Sequence, residues 1–114
     1  MEGLQYTGYL IRSEAGKELV KKSDIIMLKG NGASVGFYIF DHTKPEGFRI
    51  TTVGKHLKSF EGSISPDFVR MNQSHIVNLN YWLKLMKQHT LLLKVPTNYK
   101  LQITRTYRSS VYKY

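Results

Sequence analysis

Short apolar runs, separated by clusters of Gly, Asn, Asp, Pro and Ser, organise this chain. That is the pattern of many short strands joined by turns. Tyr9 to Arg12 and Glu18 to Val20 flank Glu14-Ala15-Gly16 and predict a hairpin. Asp24 opens Ile25-Ile26-Met27-Leu28, an uninterrupted apolar run that predicts a buried strand. Lys29 to Gly32 predicts a turn, where glycine permits a positive φ. Phe37 to Phe40 and Phe48 to Val53 predict strands around the Pro45-containing loop Asp41 to Gly47. Phe68 to Met71 and Ile76-Val77 follow as strands. Trp82 to Met86 and Leu91 to Val95 form a second hairpin about Lys87-Gln88-His89. After the turn Pro96-Thr97-Asn98, the segment Tyr99 to Ile103 alternates strictly, so one face should be buried.

Two segments depart from this rhythm. Leu57, Phe60, Glu61 and Ile64 stand at i, i+3, i+4 and i+7, which predicts one short amphipathic helix over about 55–62, limited by Gly62 and Pro66. Thr104 is placed to cap a terminal turn or helix through Arg108 and beyond, its hydroxyl accepting a backbone N–H. The expected class is therefore mainly β. The 114 residues suffice for one hydrophobic core, so 1–114 is read as a single domain.

Composition sharpens this picture. Eight Tyr, five Phe and one Trp favour sheet. The absence of cysteine excludes a disulfide framework, a Cys-ligated zinc site and a thiolate nucleophile, and it fits a reducing compartment. Met1 to Ala15 lacks the shape of a signal peptide, and no stretch approaches the roughly 20 apolar residues of a membrane span. A cytoplasmic protein with no membrane association is expected. The net charge is +9, unevenly placed: residues 1–67 hold nine basic and eight acidic residues, whereas 68–114 hold eight basic and none acidic. A stretch without carboxylates cannot neutralise itself, so its field projects toward an anionic partner, most commonly nucleic acid.

No catalytic or metal constellation emerges, and no cofactor is expected. His42, His56, His75 and His89 are widely spaced. Ser74 and His75, adjacent on a strand, would point to opposite faces. Gly30-Asn31-Gly32 is too short to cradle phosphate, and Lys58-Ser59 lacks preceding glycines. The strongest pattern lies in the basic half, from Phe68-Val69-Arg70-Met71-Asn72-Gln73-Ser74-His75-Ile76-Val77-Asn78 to the later Ile103-Thr104-Arg105-Thr106-Tyr107. Arg105 carries the fork that reads guanine O6 and N7, and Gln73 the amide that reads adenine N6 and N7. Other residues here have plainer readings. Asn78 is read as a turn residue and Trp82 as core. Arg70 is either a partly buried structural residue or a phosphate contact. Lys84, Lys87, Lys94 and Arg108 are either phosphate contacts or solvated charges.

These motifs resemble the LytTR-type DNA-binding domain of bacterial response regulators. Phe68, Arg70, Ser74, Ile76, Val77 and Asn78 match its core signature, and Thr104-Arg105-Thr106-Tyr107 its late Ser-Arg-x-Tyr element, with Thr for Ser. Ser23 to Ile26 and Leu57 to Phe68 also correspond, so the resemblance runs from about Tyr9 to Tyr112. It implies an elongated stack of small antiparallel or mixed sheets. It also implies transcription regulation in a two-component system, through strand-end loops inserted in the major groove of double-stranded DNA. Base contacts would come from the loop at Asn31 to Val35, in particular Asn31 and Ser34, from Gln73, and from Arg105. Lys29, Arg70, Asn72, Ser74, His75, Thr104, Tyr107 and Arg108 would contact the DNA backbone or support the loops. The chain departs from the family pattern at Asn72 (usually His), Gln73 (usually Arg), His75 (usually aromatic) and Lys29 (commonly Glu). Those differences put the operator preference in doubt. The resemblance further implies promoter repeats as target, a homodimer on DNA, and an upstream receiver or sensor domain if the chain is a piece of a longer protein. Two other classes stay open on the residues alone. One is a β-barrel module binding RNA or single-stranded DNA on stacking aromatics, although Tyr6, Tyr9, Phe37 and Phe48 do not alternate with basic residues on one strand face as that reading needs. The other is a basic protein-interaction domain.

Overall fold

A computed structural model describes residues 8–114; Met1 to Thr7, with Tyr6, lie outside the described residues. The strands form three sheets, and every strand pair is antiparallel. β1 (Gly8–Ser13) and β2 (Gly16–Lys21) make the first hairpin. β3 (Ile25–Asn31), β4 (Ser34–Phe40), β5 (Phe48–Val53), β6 (Phe68–Arg70) and β7 (His75–Asn78) make a central sheet in the order β5-β4-β3-β7-β6. β8 (Trp82–Met86), β9 (Thr90–Leu93) and β10 (Lys100–Gln102) make the third, in the order β10-β9-β8. The molecule measures 40 × 29 × 29 Å, the elongated stack expected.

The middle of the central sheet is buried on both faces, while β5 leaves Ile50 and Thr52 exposed, and β3 shows why its sequence lacks alternation. A bulge between Ile25 and Met27 shifts the phase of the strand. Ile25 and Leu28 then join one core cluster, while Ile26 and Met27 join the other, and all four are inaccessible to solvent. The first cluster packs the central sheet against the β1–β2 hairpin through Ile11 and Val20, with Phe60 edge-on to Phe37 at 5.2 Å between ring centres. The second packs it against the third sheet through Leu91, Leu93, Leu101 and Ile103, with Trp82 half-buried at its margin. β10 alternates as read from sequence: Leu101 and Ile103 are buried, Lys100 and Gln102 exposed.

Three local expectations are corrected. The turn placed at Lys29 to Gly32 is tighter and later. β3 continues to Asn31, and Gly32-Ala33 alone connect it to Ser34, with Gly32 at φ +65°. A two-residue hairpin loop with a positive φ at its first position calls for glycine there. The helix expected over 55–62 is a single 3₁₀ turn, Leu57–Phe60. In a 3₁₀ turn, residues i and i+3 eclipse, so Leu57 and Phe60 still bury together, while Gly62 at φ +70° breaks any continuation. The terminal helix forms as α1 (Arg105–Val111), within the range expected, but the hydroxyl of Thr104 makes no capping hydrogen bond.

Asn78 proves to be a structural pin rather than a simple turn residue. Its Nδ2 donates to the Ile25 carbonyl at 2.9 Å, and its Oδ1 accepts from the backbone and side-chain nitrogens of Asn80, both at 3.0 Å. It is the one buried polar residue among the described residues, and it ties the end of β7 to the start of β3. Asn78→Ala should leave the Ile25 carbonyl unsatisfied and cost about 1–3 kcal/mol of stability. Urea unfolding monitored at Trp82 should show a lower midpoint at unchanged slope. A midpoint equal to that of the natural chain would show that the pin contributes nothing.

Candidate nucleic-acid interface

The antiparallel order of the central sheet sorts its connections to two ends. The β3–β4 turn (32–33), the exit of β5 at Val53, and the β6–β7 loop (71–74) lie at one end. The loop 41–47 and the entries to β3 and β6 lie at the other. The third sheet delivers β10 to the first end, because Thr104 N–H donates to the Met71 carbonyl at 3.1 Å. Residues 31–34, 71–75 and 104–107, far apart in sequence, thus share one pole of the molecule. Gly30 N–H donates to the Ser74 carbonyl at 2.8 Å, which stitches the first two together.

Arg70 and Asn72 shape the middle loop. The Arg70 guanidinium donates to the carbonyls of Asn72 (2.7 Å) and Gln73 (2.8 Å), pairs with Glu61, and lies 5.4 Å from the centre of the Tyr107 ring. Its charge and donors are therefore engaged inside the protein, which favours the structural alternative left open for it. Asn72 is the hub. Its Nδ2 donates to the Gln102 carbonyl (2.7 Å), and its Oδ1 accepts from the Ser74 backbone N–H (2.8 Å) and meets His75 Nδ1 at 3.0 Å. Because Oδ1 is an acceptor, Nδ1 of His75 must carry the proton. Nε2 then accepts from the Tyr99 hydroxyl at 2.8 Å. Burial of the ring, reinforced by the charge of Lys29 on the neighbouring strand, pushes the His75 pKa down to about 4, so the ring is neutral near pH 7.

Against this frame, Gln73 and Arg105 are exposed. They border the same open recess, together with Ser74, Gln102, Thr104 and Thr106. Neither side chain has a hydrogen-bond or ion-pair partner among the described residues. Asn31 and Ser34 border a neighbouring recess with Lys29, and the Ser34 hydroxyl donates to the Asn31 carbonyl at 3.3 Å. Tyr107 lies half-buried beneath Arg70, and Arg108 folds back to donate from Nε to the Ile103 carbonyl at 3.0 Å. Lys84, Lys87 and Lys94 are exposed but border neither recess. Sequence reasoning missed Gln102, whose exposure follows from the alternation of β10. It also missed Tyr99, for which nothing in the sequence signals a hydroxyl directed at His75.

Most of the carboxylates lie elsewhere, although Glu14 stands at the tip of the first hairpin, on the loop side. Asp24, Asp41, Glu46 and Asp67 flank strand ends at the opposite pole, and Glu18 is drawn there by Arg49, which also approaches Asp41 at 3.8 Å. At the loop pole, Glu61 is paired with Arg70. Most of the acidic residues thus lie away from the pole that carries Lys29 and Arg105. No helix of the described residues is long and apolar enough to cross a membrane.

A model of the LytTr DNA-binding domain family matches residues 16–114. Among solved structures, the fold is similar to the LytTr DNA-binding domain of a methyl-accepting/DNA response regulator from Bacillus cereus. The TM-score is 0.71 at 20% identity, with 94% of each chain covered. No curated protein matches the sequence.

The buried His75 gives a pH dependence whose sign is fixed. Its folded-state pKa of about 4 lies below the ordinary value of 6.5, so the unfolded chain binds the proton more readily. The resulting stability is fully present above pH 6.5 and is lost as pH falls through 6.5 toward 4. Between pH 7 and pH 5 the natural chain should lose about 1–2 kcal/mol more than His75→Gln. Equal losses in parallel urea titrations would show that the ring is freely protonated in the folded state.

Proposed function

The chain belongs to the family of LytTr DNA-binding domains, and from this premise we propose that it recognises double-stranded DNA by sequence and regulates transcription without being an enzyme. The observation that carries the reading is the meeting of Arg105 and Gln73, both exposed and unpaired, at one recess of the carboxylate-poor pole. Guanidinium and carboxamide are the two groups suited to bidentate contact with guanine and adenine edges in the major groove. Arg105 sits at the first position of α1, immediately after a strand anchored by the bond from Thr104 to Met71. Gln73 sits in a loop whose carbonyls are held by Arg70. Bases would thus be read from strand ends, with no helix laid along the groove.

Asn31 and Ser34 form the second reading element, offset from the first by Lys29. Lys29 and the free hydroxyl of Thr104 contact the sugar–phosphate backbone. Asn72, Ser74, His75, Arg70, Tyr107 and Arg108 support the loops. Residues 1–114 act as one DNA-binding unit, placed in pairs on promoter repeats and driven by a receiver or sensor domain where one is joined to it. The single-strand alternative finds no support in the aromatics. Tyr9 and Phe37 stack on each other at 6.0 Å, and Tyr38 on Phe48 at 5.4 Å, as packing partners rather than open platforms.

Selection of bound duplexes from a random pool should return a defined motif. Arg105→Ala should then weaken binding by about 1–3 kcal/mol and relax choice at one base position. Gln73→Ala should relax a different position. A uniform loss across all sequences would make Arg105 a phosphate contact, and preference for single strands at equal salt would end the duplex reading.

A further inference from the structure

The base-reading recess does not stand alone. The cross-strand pair Lys29–His75 and the bond from Gly30 N–H to the Ser74 carbonyl join it to the recess of Lys29, Asn31 and Ser34. That second recess shares Ser34, Ile50 and Thr52 with a third, which is closed on its far side by Arg12 and Lys55. The three form one track across the loop pole, from Arg105 to the tip of the first hairpin.

Topology explains why Arg12 and Lys55 arrive there. β1 runs toward the loop pole and turns at Glu14-Ala15, beside Ser34 and Gly54. Lys55 follows β5, whose Val53 pairs with Val35. Its neighbour Leu57 packs onto Gly30, its Cβ 3.2 Å from where a glycine Cβ would stand. Both basic side chains are exposed and lack an ion pair among the described residues. The nearby Glu14 is in the same recess and makes no ion pair with either. Between these cations the track presents Thr51 and Thr52, hydroxyl groups suited to phosphate oxygens.

We propose that Arg12 and Lys55 form a phosphate-binding arm, through which the first hairpin grips the DNA backbone beside the base-reading loops. This rests on the duplex reading above and adds to it a contact that carries affinity and orientation but no sequence information. One cation comes from β1 and the other from the β5 exit, so the arm also ties hairpin and central sheet to the same strand of phosphates. The whole molecule is 40 Å long, close to the roughly 34 Å of one helical turn, so arm and loops fit within about one turn of the duplex.

The test is the salt dependence of binding to the selected duplex. For the double variant Arg12→Ala/Lys55→Ala, the log–log slope should become shallower by about 1.8, near 0.9 for each lost phosphate contact. The ranking of base sequences should stay unchanged. The charge-keeping variant Arg12→Lys/Lys55→Arg should restore the slope, which separates charge from any effect on folding. An unchanged slope in the alanine variant, with Arg105→Ala still relaxing specificity, overturns the arm and leaves the duplex reading standing. A natural chain that binds no duplex overturns both.

Discussion

The burial of β3 on both faces is the constraint on which the rest depends. Successive side chains of a strand point to opposite faces, so its apolar run serves two cores, and the bulge between Ile25 and Met27 turns Ile26 and Met27 toward the same one. The middle of the central sheet can then be covered on both faces, by the first hairpin and by the third sheet. A strand covered twice has no free face for a ligand. Its backbone groups are consumed in ladders and its side chains in two cores. What remains are the strand ends, which the antiparallel order sorts into two poles, and the open margin of the sheet at Ile50 and Thr52.

The same sorting organises charge. Five of the acidic residues sit at, or are drawn to, the pole away from the reading loops, where Arg49 binds two of them. The loop pole keeps Lys29, Lys55, Arg12 and Arg105 without internal partners, while the one deeply placed cation, Arg70, is matched to Glu61. Burying an unmatched guanidinium would cost several kcal/mol, whereas exposed cations cost little until a polyanion approaches. The pairing of Arg70 and the freedom of Arg105 are thus complementary. One arginine is neutralised to hold a loop, and the other is left charged to meet a ligand.

Much of this was legible in the sequence. The strands of the central sheet and both hairpins follow from apolar runs and turn residues. The buried character of Ile25 to Leu28 follows from its lack of alternation, and β10 from its strict alternation. What escaped were features decided by distant partners. The spacing of Leu57 and Phe60 fits an α-helix and a 3₁₀ turn alike, and the short reach to Gly62 selects the latter. The role of Asn78 depends on Ile25, that of Asn72 on Gln102, and that of His75 on Tyr99. Each pair is brought together by sheet order, which local patterns do not encode. Charge was read as a contrast between two halves of the chain. The structure sets most of the acidic residues away from one pole, and it brings Lys29, Lys55 and Arg12 from the first half into the same field as Arg105.

On the proposed function, holding and reading within the loop pole are done by different residues. Arg70, Asn72, His75 and Tyr99 spend their polar groups on one another and on backbone carbonyls. Gln73 and Arg105 spend none. A group that must break internal bonds to meet a base would lose that energy on binding, whereas a group mounted on a satisfied frame loses only its own side-chain freedom. The division has a consequence for the residue types found here. A framework position such as Asn72 is constrained by three hydrogen bonds with fixed donors and acceptors. A reading position such as Gln73 is constrained only by exposure. If Gln73 reads a base as proposed, its substitution by a guanidinium would change which base edge is matched and leave the loop that presents it intact. Change at Asn72 reaches Ser74, His75 and β10 together.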